Sequence, residues 1–374
     1  MHDLSRRSLF RSLAGASVLE LAHYRAAWAR AMAPQSDATL FDIEKIAQGA
    51  YFARARPQAM TNCNAAIFEN AADVLVVDAH SKPSAAAALI AQIRREITPK
   101  PVRYVVNTHF HWDHTQGNHA YRAAEKKIDF IASEPTKKLM ADLAGQRLLA
   151  SLAAVPQQID ALRARAGKSR SPAEKTWCEN RIRQLHAYQI ELKNYDLELP
   201  TITFATSHVI KDKAHDLHIE YHGHAHTGGD VVVFCPQARA VATGDMILGT
   251  LPFIADGYPR IWPKTIDFVA KLGFAHVMPG HGPAQHDRTP MTNVRNYIEE
   301  LAEKVAAGKK TGKTLAALQS EITVESLKSI QSNGYVAYLM ANQDHSEPNL
   351  DAPARVRAGV KTNIADVFKN IERV

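Results

Sequence analysis

A mixed α/β sandwich with helical additions is the fold this sequence predicts, and three observations predict it. Short apolar runs of strand length recur between residues 65 and 278. Helical periodicity at three- and four-residue steps takes over in two long stretches. A dense histidine cluster follows directly on one of the apolar runs, where a strand would end in a loop. At 374 residues the chain exceeds the usual length of a single domain, which leaves room for helices around one sandwich core.

Taken in chain order, the first signal is Ser5-Arg6-Arg7-Ser8-Leu9-Phe10-Arg11, followed by Leu-Ala-Gly-Ala-Ser-Val-Leu and small residues around 27–33. It resembles a bacterial twin-arginine export signal over residues 1–33 and implies passage through the twin-arginine translocase to the periplasm. Glu20, His23 and Arg25 interrupt its apolar segment, and without a working signal the protein is cytoplasmic. Apolar runs at 65–69, 73–77, 102–107, 128–132, 201–205, 216–221, 231–234, 239–243 and 275–278 read as strands with helices between them. They belong to one main domain at 38–290. From about 135 to 195 the pattern is helical, with Cys178, Ile182, Leu185, Tyr188 and Leu192 on one stripe. Gly-Lys-Ser-Arg-Ser-Pro at 167–172 divides it into a helical hairpin, which serves equally as a lid or as a dimer surface. The segment 291–374 reads as a helical extension, with stripes at Met291, Val294, Ile298, Leu301 and Val305 and at Val360, Ile364, Val367 and Ile371. No internal repeat or low-complexity segment interrupts this order.

The net charge of +7 includes five arginines against Asp3 and Glu20 in residues 1–30, so about +4 belongs to the remainder. Without a clustered basic stripe that charge argues only weakly for nucleic acid, and no stable nucleic-acid partner is expected. No other stretch approaches the roughly 18–20 apolar residues of a membrane span, so no membrane partner is expected. Cys63, Cys178 and Cys235 are odd in number and form no Cys-x-x-Cys, which indicates buried thiols and neither a disulfide framework nor a thiolate metal site.

Residues 108–118, Thr-His-Phe-His-Trp-Asp-His-Thr-Gln-Gly-Asn, carry the chemistry. His109, His111, Asp113 and His114 offer three imidazoles and a carboxylate, a donor set suited to zinc or a similar divalent ion. They are more donors than one ion takes. Most of the other histidines, among them His208, His215, His218, His276 and His286, read as ordinary surface or core residues.

The His-x-His-x-Asp-His run resembles the signature of the metallo-β-lactamase-fold hydrolases, and the family's other motifs follow in order. Gly-His-Ala-His-Thr-Gly-Gly-Asp at 223–230 offers His226, Ala-Thr-Gly-Asp at 242–245 offers Asp245, and Val-Met-Pro-Gly-His-Gly at 277–282 offers His281. Val-Leu-Val-Val-Asp at 74–78 resembles the first motif, whose aspartate orients ligands and binds no metal. The resemblance implies a four-layer αββα sandwich. It assigns His109, His111 and His226 to one metal ion, and Asp113, His114 and His281 to a second, with Asp245 bridging. Zinc is the default pair, with iron or manganese compatible with two aspartates. The implied reaction uses a hydroxide held between two metal ions to cleave an ester, lactone, thioester or β-lactam-type amide in a small-molecule substrate. Asp113 would additionally orient that hydroxide or relay a proton.

Asp245 stands where the best-known zinc β-lactamases carry cysteine, which points to the bridging-aspartate branches such as glyoxalase II, although the glutathione-binding residues of that enzyme are not recognisable. His111 occupies the position that flavodiiron oxygen reductases give to glutamate, which disfavours redox chemistry. The alternatives are a phosphodiesterase or nuclease on the same dinuclear site, a mononuclear-iron persulfide dioxygenase, and a catalytically idle scaffold. The aromatic, proline-rich segment 251–262 reads as a pocket lining, with Phe253, Tyr258 and Trp262 as apolar contacts or, equally, as packing within the loop; Trp112 is either a pocket wall or a packing residue.

Overall fold

Two β-sheets face each other through the side chains their strands turn inward, and helices cover the outer faces. The structure, a computed structural model, describes residues 40–56, 63–193, 195–342, 347–348 and 351–373. The export-signal reading at 1–33 lies outside the described residues.

The first sheet has seven strands in sequence order: β1 (Phe41–Ala47), β2 (Ala50–Ala55), β3 (Ala65–Glu69), β4 (Val74–Val77), β5 (Val102–Val106), β6 (Asp129–Ser133) and β7 (Ile202–Phe204). Strands β1 to β4 pair antiparallel, and β4 to β7 pair parallel. The second sheet runs β12-β11-β10-β9-β8, from β8 (Ser207–Lys211) and β9 (Asp216–Tyr221) through β10 (Val231–Cys235) and β11 (Ala240–Gly244) to β12 (His276–Pro279). Its strands are antiparallel except for the parallel β11–β12 pair. Every strand expected from the apolar runs is present. Strands β1, β2 and β8 were not among those expectations. β8, at an edge of the second sheet, alternates exposed and half-buried residues and ends at Lys211, and β1, at an edge of the first sheet, carries Glu44 and Lys45 outward. Such polar edges blunt unwanted pairing and leave no apolar run to read.

The two-residue period of β10 sorts its side chains between two cores. Val231, Val233 and Cys235 enter the layer between the sheets with Phe52, Phe68, Leu75, Val106, Leu217 and Ile219. Val232 and Phe234 point the other way, onto α7 (Trp262–Val269), α8 (Thr289–Lys310) and α12 (Ala352–Asn370), where Val294, Ile298, Leu301, Val360 and Ile364 are buried. Both C-terminal stripes are thus core, continuous with the second sheet. The first sheet is covered by α1 (Pro83–Glu96), which starts on a proline and buries Leu89, Ile90 and Ile93.

The inserted helical region begins with α4 (Glu134–Leu139), capped by Ser133 accepting from Thr136 N at 3.2 Å. A π-helical turn, Met140–Ala144, leads into α5 (Gly145–Lys168), and α6 (Pro172–Leu192) returns after the break expected at 167–172. Leu148, Val155, Ile159, Leu185, Tyr188 and Leu192 hold the hairpin together. Among the described residues no helix is long and apolar enough to cross a membrane.

Candidate metal centre

Parallel pairing of β4 with β5 and of β11 with β12 puts four carboxyl ends at one rim, and the histidine-rich loops start there. Asp78 follows β4; His109, His111, Asp113 and His114 follow β5, the last two on the short α2 (Trp112–Thr115); Asp245 follows β11 and His281 follows β12. His226 enters from the turn between β9 and β10.

His109, His111 and His226 meet at their ring nitrogens, with His111 Nδ1 3.1 Å from His109 Nε2 and 2.9 Å from His226 Nε2. A neutral imidazole has one N–H, and in each ring a neighbour takes it. The Asp78 carboxylate can only accept, so the Thr108 hydroxyl donates to it at 2.9–3.0 Å and itself accepts from His109 Nδ1 at 3.0 Å. Phe253 O accepts from His226 Nδ1 at 2.9 Å, and Asp256 Oδ2 accepts from His111 Nε2 at 2.8 Å. Three lone pairs are left facing one another. Burial and the adjacent His111 push His226 down to about 3, and burial with the neighbouring His114 holds His109 well below its ordinary value, so protons do not fill the gap. The edge of a tetrahedron with zinc–nitrogen bonds of 2.0–2.1 Å is about 3.3 Å. The observed separations fit a shared cation.

A second set lies beside the first. His114 is fully buried, donates Nδ1–H to Asp78 Oδ2 at 2.8 Å, and leaves Nε2 without a hydrogen-bond partner. That nitrogen is 3.4 Å from Asp245 Oδ1, itself buried and unpartnered, and 3.5 Å from Asp113 Oδ2. His281 Nε2 closes the set at 3.1 Å from Asp113 Oδ2. Asp245 Oδ2 is 3.6 Å from both His226 and His281, so it stands between the two sets. His109, His111 and His226 could hold one ion, and Asp113, His114 and His281 another. The seven side chains named from the sequence therefore converge. His281 is the most open of them, at 29% side-chain exposure, and marks the solvent side.

Two glycines make this convergence possible. Gly244 lies at φ +50°, where a Cβ would sit 2.2 Å from Thr108 Oγ1, and at Gly280 a Cβ would sit 2.2 Å from Asp245 Oδ1 and 2.9 Å from His114 Cε1. Gly280→Ala is expected to displace Asp245, cost about 1–3 kcal/mol of stability through overpacking, and reduce metal per chain. Thermal unfolding and elemental analysis check it, and full metal content at an unchanged melting temperature would refute it.

The four expected pocket residues separate. Phe253 is half exposed, with its ring 5.7 Å from His111 and 6.0 Å from His226, so it stands over the first set. Trp112 packs edge-on against Tyr188 of the hairpin at 5.9 Å and lines a small apolar cavity of about 60 Å³ with Phe110, Leu148, Tyr195 and Leu197. Tyr258 stacks on His224 at 4.4 Å. Trp262 is a correction. It is fully buried, with Nε1 donating to Met246 O at 2.9 Å and its ring 5.5 Å behind His226, because α7 begins there and draws it into the core.

Several supports were not anticipated. Asn64 donates to Pro279 O and Gly282 O and so fixes the His281 turn. Cys63 and His80 are buried behind His114. Asp256 receives a bidentate pair from Arg147 at 2.6 and 2.9 Å, and Arg147 and His111 hold its carboxyl well below the usual range against the effect of burial. The sequence signal for Asp256 was only its place in the loop already singled out.

Residues 60–306 match the family model described as the Metallo-beta-lactamase superfamily. No curated protein matches. Among solved structures, a metallo-beta-lactamase from Pontibacter korlensis is 18% identical at a TM-score of 0.50, covering 69% of this chain and 99% of its own. The stereoselective inverting sec-alkylsulfatase Pisa1 from Pseudomonas sp. is 14% identical at a TM-score of 0.61, covering 88% of this chain and 50% of its own. At these identities the likeness is one of fold, and it agrees with the two facing sheets and their covering helices.

Proposed function

The chain belongs to the metallo-beta-lactamase superfamily, and from that premise we propose that it is a hydrolase working with two divalent metal ions, cleaving an ester, lactone, thioester or β-lactam-type amide. The observation that carries the proposal is the set of three imidazole lone pairs locked face to face at 2.9–3.1 Å by their outer hydrogen bonds. His109, His111 and His226 would hold one ion, Asp113, His114 and His281 the other, with Asp245 shared. When bound, such a pair acidifies water and draws electron density from the scissile group's oxygen.

The chain's own groups do the rest. Asp113 Oδ2, beside His281 and His114, is placed to orient the attacking water and accept its proton. Phe253 shields the first set from bulk water and offers an apolar contact to the acyl part of a substrate. Two potential side-chain nucleophiles near the rim do not compete: burial pushes the Cys63 thiol up to about 12, and the Thr108 hydroxyl is committed to Asp78.

The test is elemental analysis of purified protein together with a hydrolysis screen over nitrocefin, lactones, thioesters, bis-p-nitrophenyl phosphate and a secondary alkyl sulfate, repeated with Asp113→Ala. Near two metals per chain and a carboxylic-acid-derivative activity that falls about 100-fold or more in the variant is the expected result. Turnover of the phosphodiester alone would move the reading to a phosphodiesterase. One iron with no hydrolysis would overturn it in favour of the oxygenase.

A further inference from the structure

The loop 251–262 leaves the metal rim and carries the outer hydrogen-bond partners of two of the three clustered imidazoles. Phe253 O takes the His226 Nδ1 proton at 2.9 Å, and Asp256 Oδ2 takes the His111 Nε2 proton at 2.8 Å. The loop is in turn held from two sides by the elements that are additions to the sandwich. From the hairpin, Arg147 near the start of α5 makes its two-pronged bond to the Asp256 carboxylate, with its guanidinium 4.8 Å over the Phe110 ring. From the C-terminal helix, buried Asn370 donates to Ile254 O at 3.1 Å and Ala255 O at 2.8 Å. Arg373 donates to Asp256 O at 2.9 Å and lies over the Tyr258 ring at 5.7 Å.

We infer that this loop is a clasp for the three-histidine metal set: Asp256 is the positioning residue that fixes the His111 ring, and Arg147 of the inserted hairpin fixes Asp256. The inference rests on the proposed function, in that it takes His111 as a metal ligand. A carboxylate that accepts from the far nitrogen of a ligating imidazole sets its tautomer and orientation, and losing such a partner typically weakens metal binding by about 10–100-fold. Arg147 bonds to Asp256, the hydrogen-bond partner of His111, and its remaining contact near the set is the Phe110 ring. It fixes both carboxylate oxygens, so the oxygen that serves His111 cannot turn away. This ion pair therefore couples the hairpin to the three-histidine set, apart from the packing of Tyr188 on Trp112. The structure thus gives the insertion a task separate from covering substrate or pairing with a second copy.

The experiment compares the full-length protein with Asp256→Asn, Arg147→Met and the double variant. Dissociation constants for zinc are measured by chelator competition, and the visible absorption of cobalt(II)-loaded protein is recorded. Asp256→Asn is expected to weaken one of the two zinc affinities about 10–100-fold and to shift the cobalt bands. Arg147→Met should shift the same bands in the same direction with a smaller loss of affinity, and the double variant should be no worse than Asp256→Asn alone. Wild-type affinity and spectrum in both single variants would overturn the clasp while leaving the dinuclear reading intact. Additive losses in the double variant would remove Arg147 from it. A wild-type protein that binds neither metal would overturn both readings. Arg147 is close to half exposed, so its variant is expected to fold and keeps the test decisive if Asp256→Asn does not.

Discussion

His226→Ala is expected to lower turnover by about a thousandfold or more and to release one metal equivalent per chain. That factor corresponds to roughly 4 kcal/mol of lost transition-state stabilisation, the scale on which a metal ion acts as a Lewis acid. His226 is fully buried, and its Nε2 is one of three lone pairs at the first set, 2.9 Å from His111 Nδ1 and 3.6 Å from the shared Asp245. The informative control is two residues away. His224 carries the same chemistry, yet its Nδ1 is spent on Gly228 O at 3.0 Å and Tyr221 Oη at 2.9 Å, and its ring is stacked on Tyr258. His224→Ala should therefore keep its metal and most of its activity, losing about 1 kcal/mol of stability from the broken hydrogen bonds. Steady-state kinetics with elemental analysis on both variants decides the matter. Metal loss in His224→Ala with retention in His226→Ala would reverse the ligand assignment.

The pair illustrates what could be read in the chain and what could not. His222, His224 and His226 alternate, and nothing in their spacing separates them; only the following Thr-Gly-Gly-Asp favoured His226. The structure supplies the physical reason. Thr227 N is held by Asp230 at 2.6 Å and Ser133 and Thr136 both donate to Gly229 O, so the turn is pinned with residue 226 directed at the rim. At Gly229 a Cβ would come 2.4 Å from Thr136 Oγ1, so the glycine lets the turn approach α4. Strands such as β10, buried along its whole length, announce themselves by composition, whereas β8 depends on β9 alone for its pairing and hides in a polar sequence.

Outer partners are the part of the site least visible in sequence. Asp256 is 145 residues from His111 and Arg147 is 109 residues from Asp256, and in the chain each resembles an ordinary surface charge. Their meeting depends on how the insertion and the 251–262 loop pack, which local periodicity does not encode. Trp262 failed for a related reason. In an aromatic loop it resembled a pocket wall, but it opens α7 and its indole N–H needs the buried Met246 carbonyl. Asp78, by contrast, was legible from its place at the end of an apolar run. Its task is larger than orienting one ligand, since Thr108 N, Thr108 Oγ1 and His114 Nδ1 all donate to it.

That concentration of bonds makes position 78 the place where folding and metal binding can be separated by experiment. Asp78 is 2% exposed and sits at φ +68°, a conformation that asparagine tolerates and alanine does not favour. Asp78→Ala leaves three buried donors unmet, at about 1–3 kcal/mol each, and adds backbone strain. A fall in melting temperature of roughly 6 °C or more is expected, at about 2 °C per kcal/mol for a chain of this size. Asp78→Asn keeps the shape and one acceptor oxygen for Thr108, so most of the stability should remain. Its amide, however, presents N–H where His114 Nδ1–H needs an acceptor. The His114 ring relieves that conflict by moving its proton to Nε2, the nitrogen that faces Asp245 and Asp113. An imidazole protonated there has no lone pair for a metal. Asp78→Asn should therefore melt near the wild type while binding about one metal instead of two, and Asp78→Ala should lose both stability and metal. Differential scanning calorimetry of the metal-free proteins and elemental analysis of the loaded ones separate the two effects. Two metals retained in Asp78→Asn would show that the His114 proton is not set by this carboxylate.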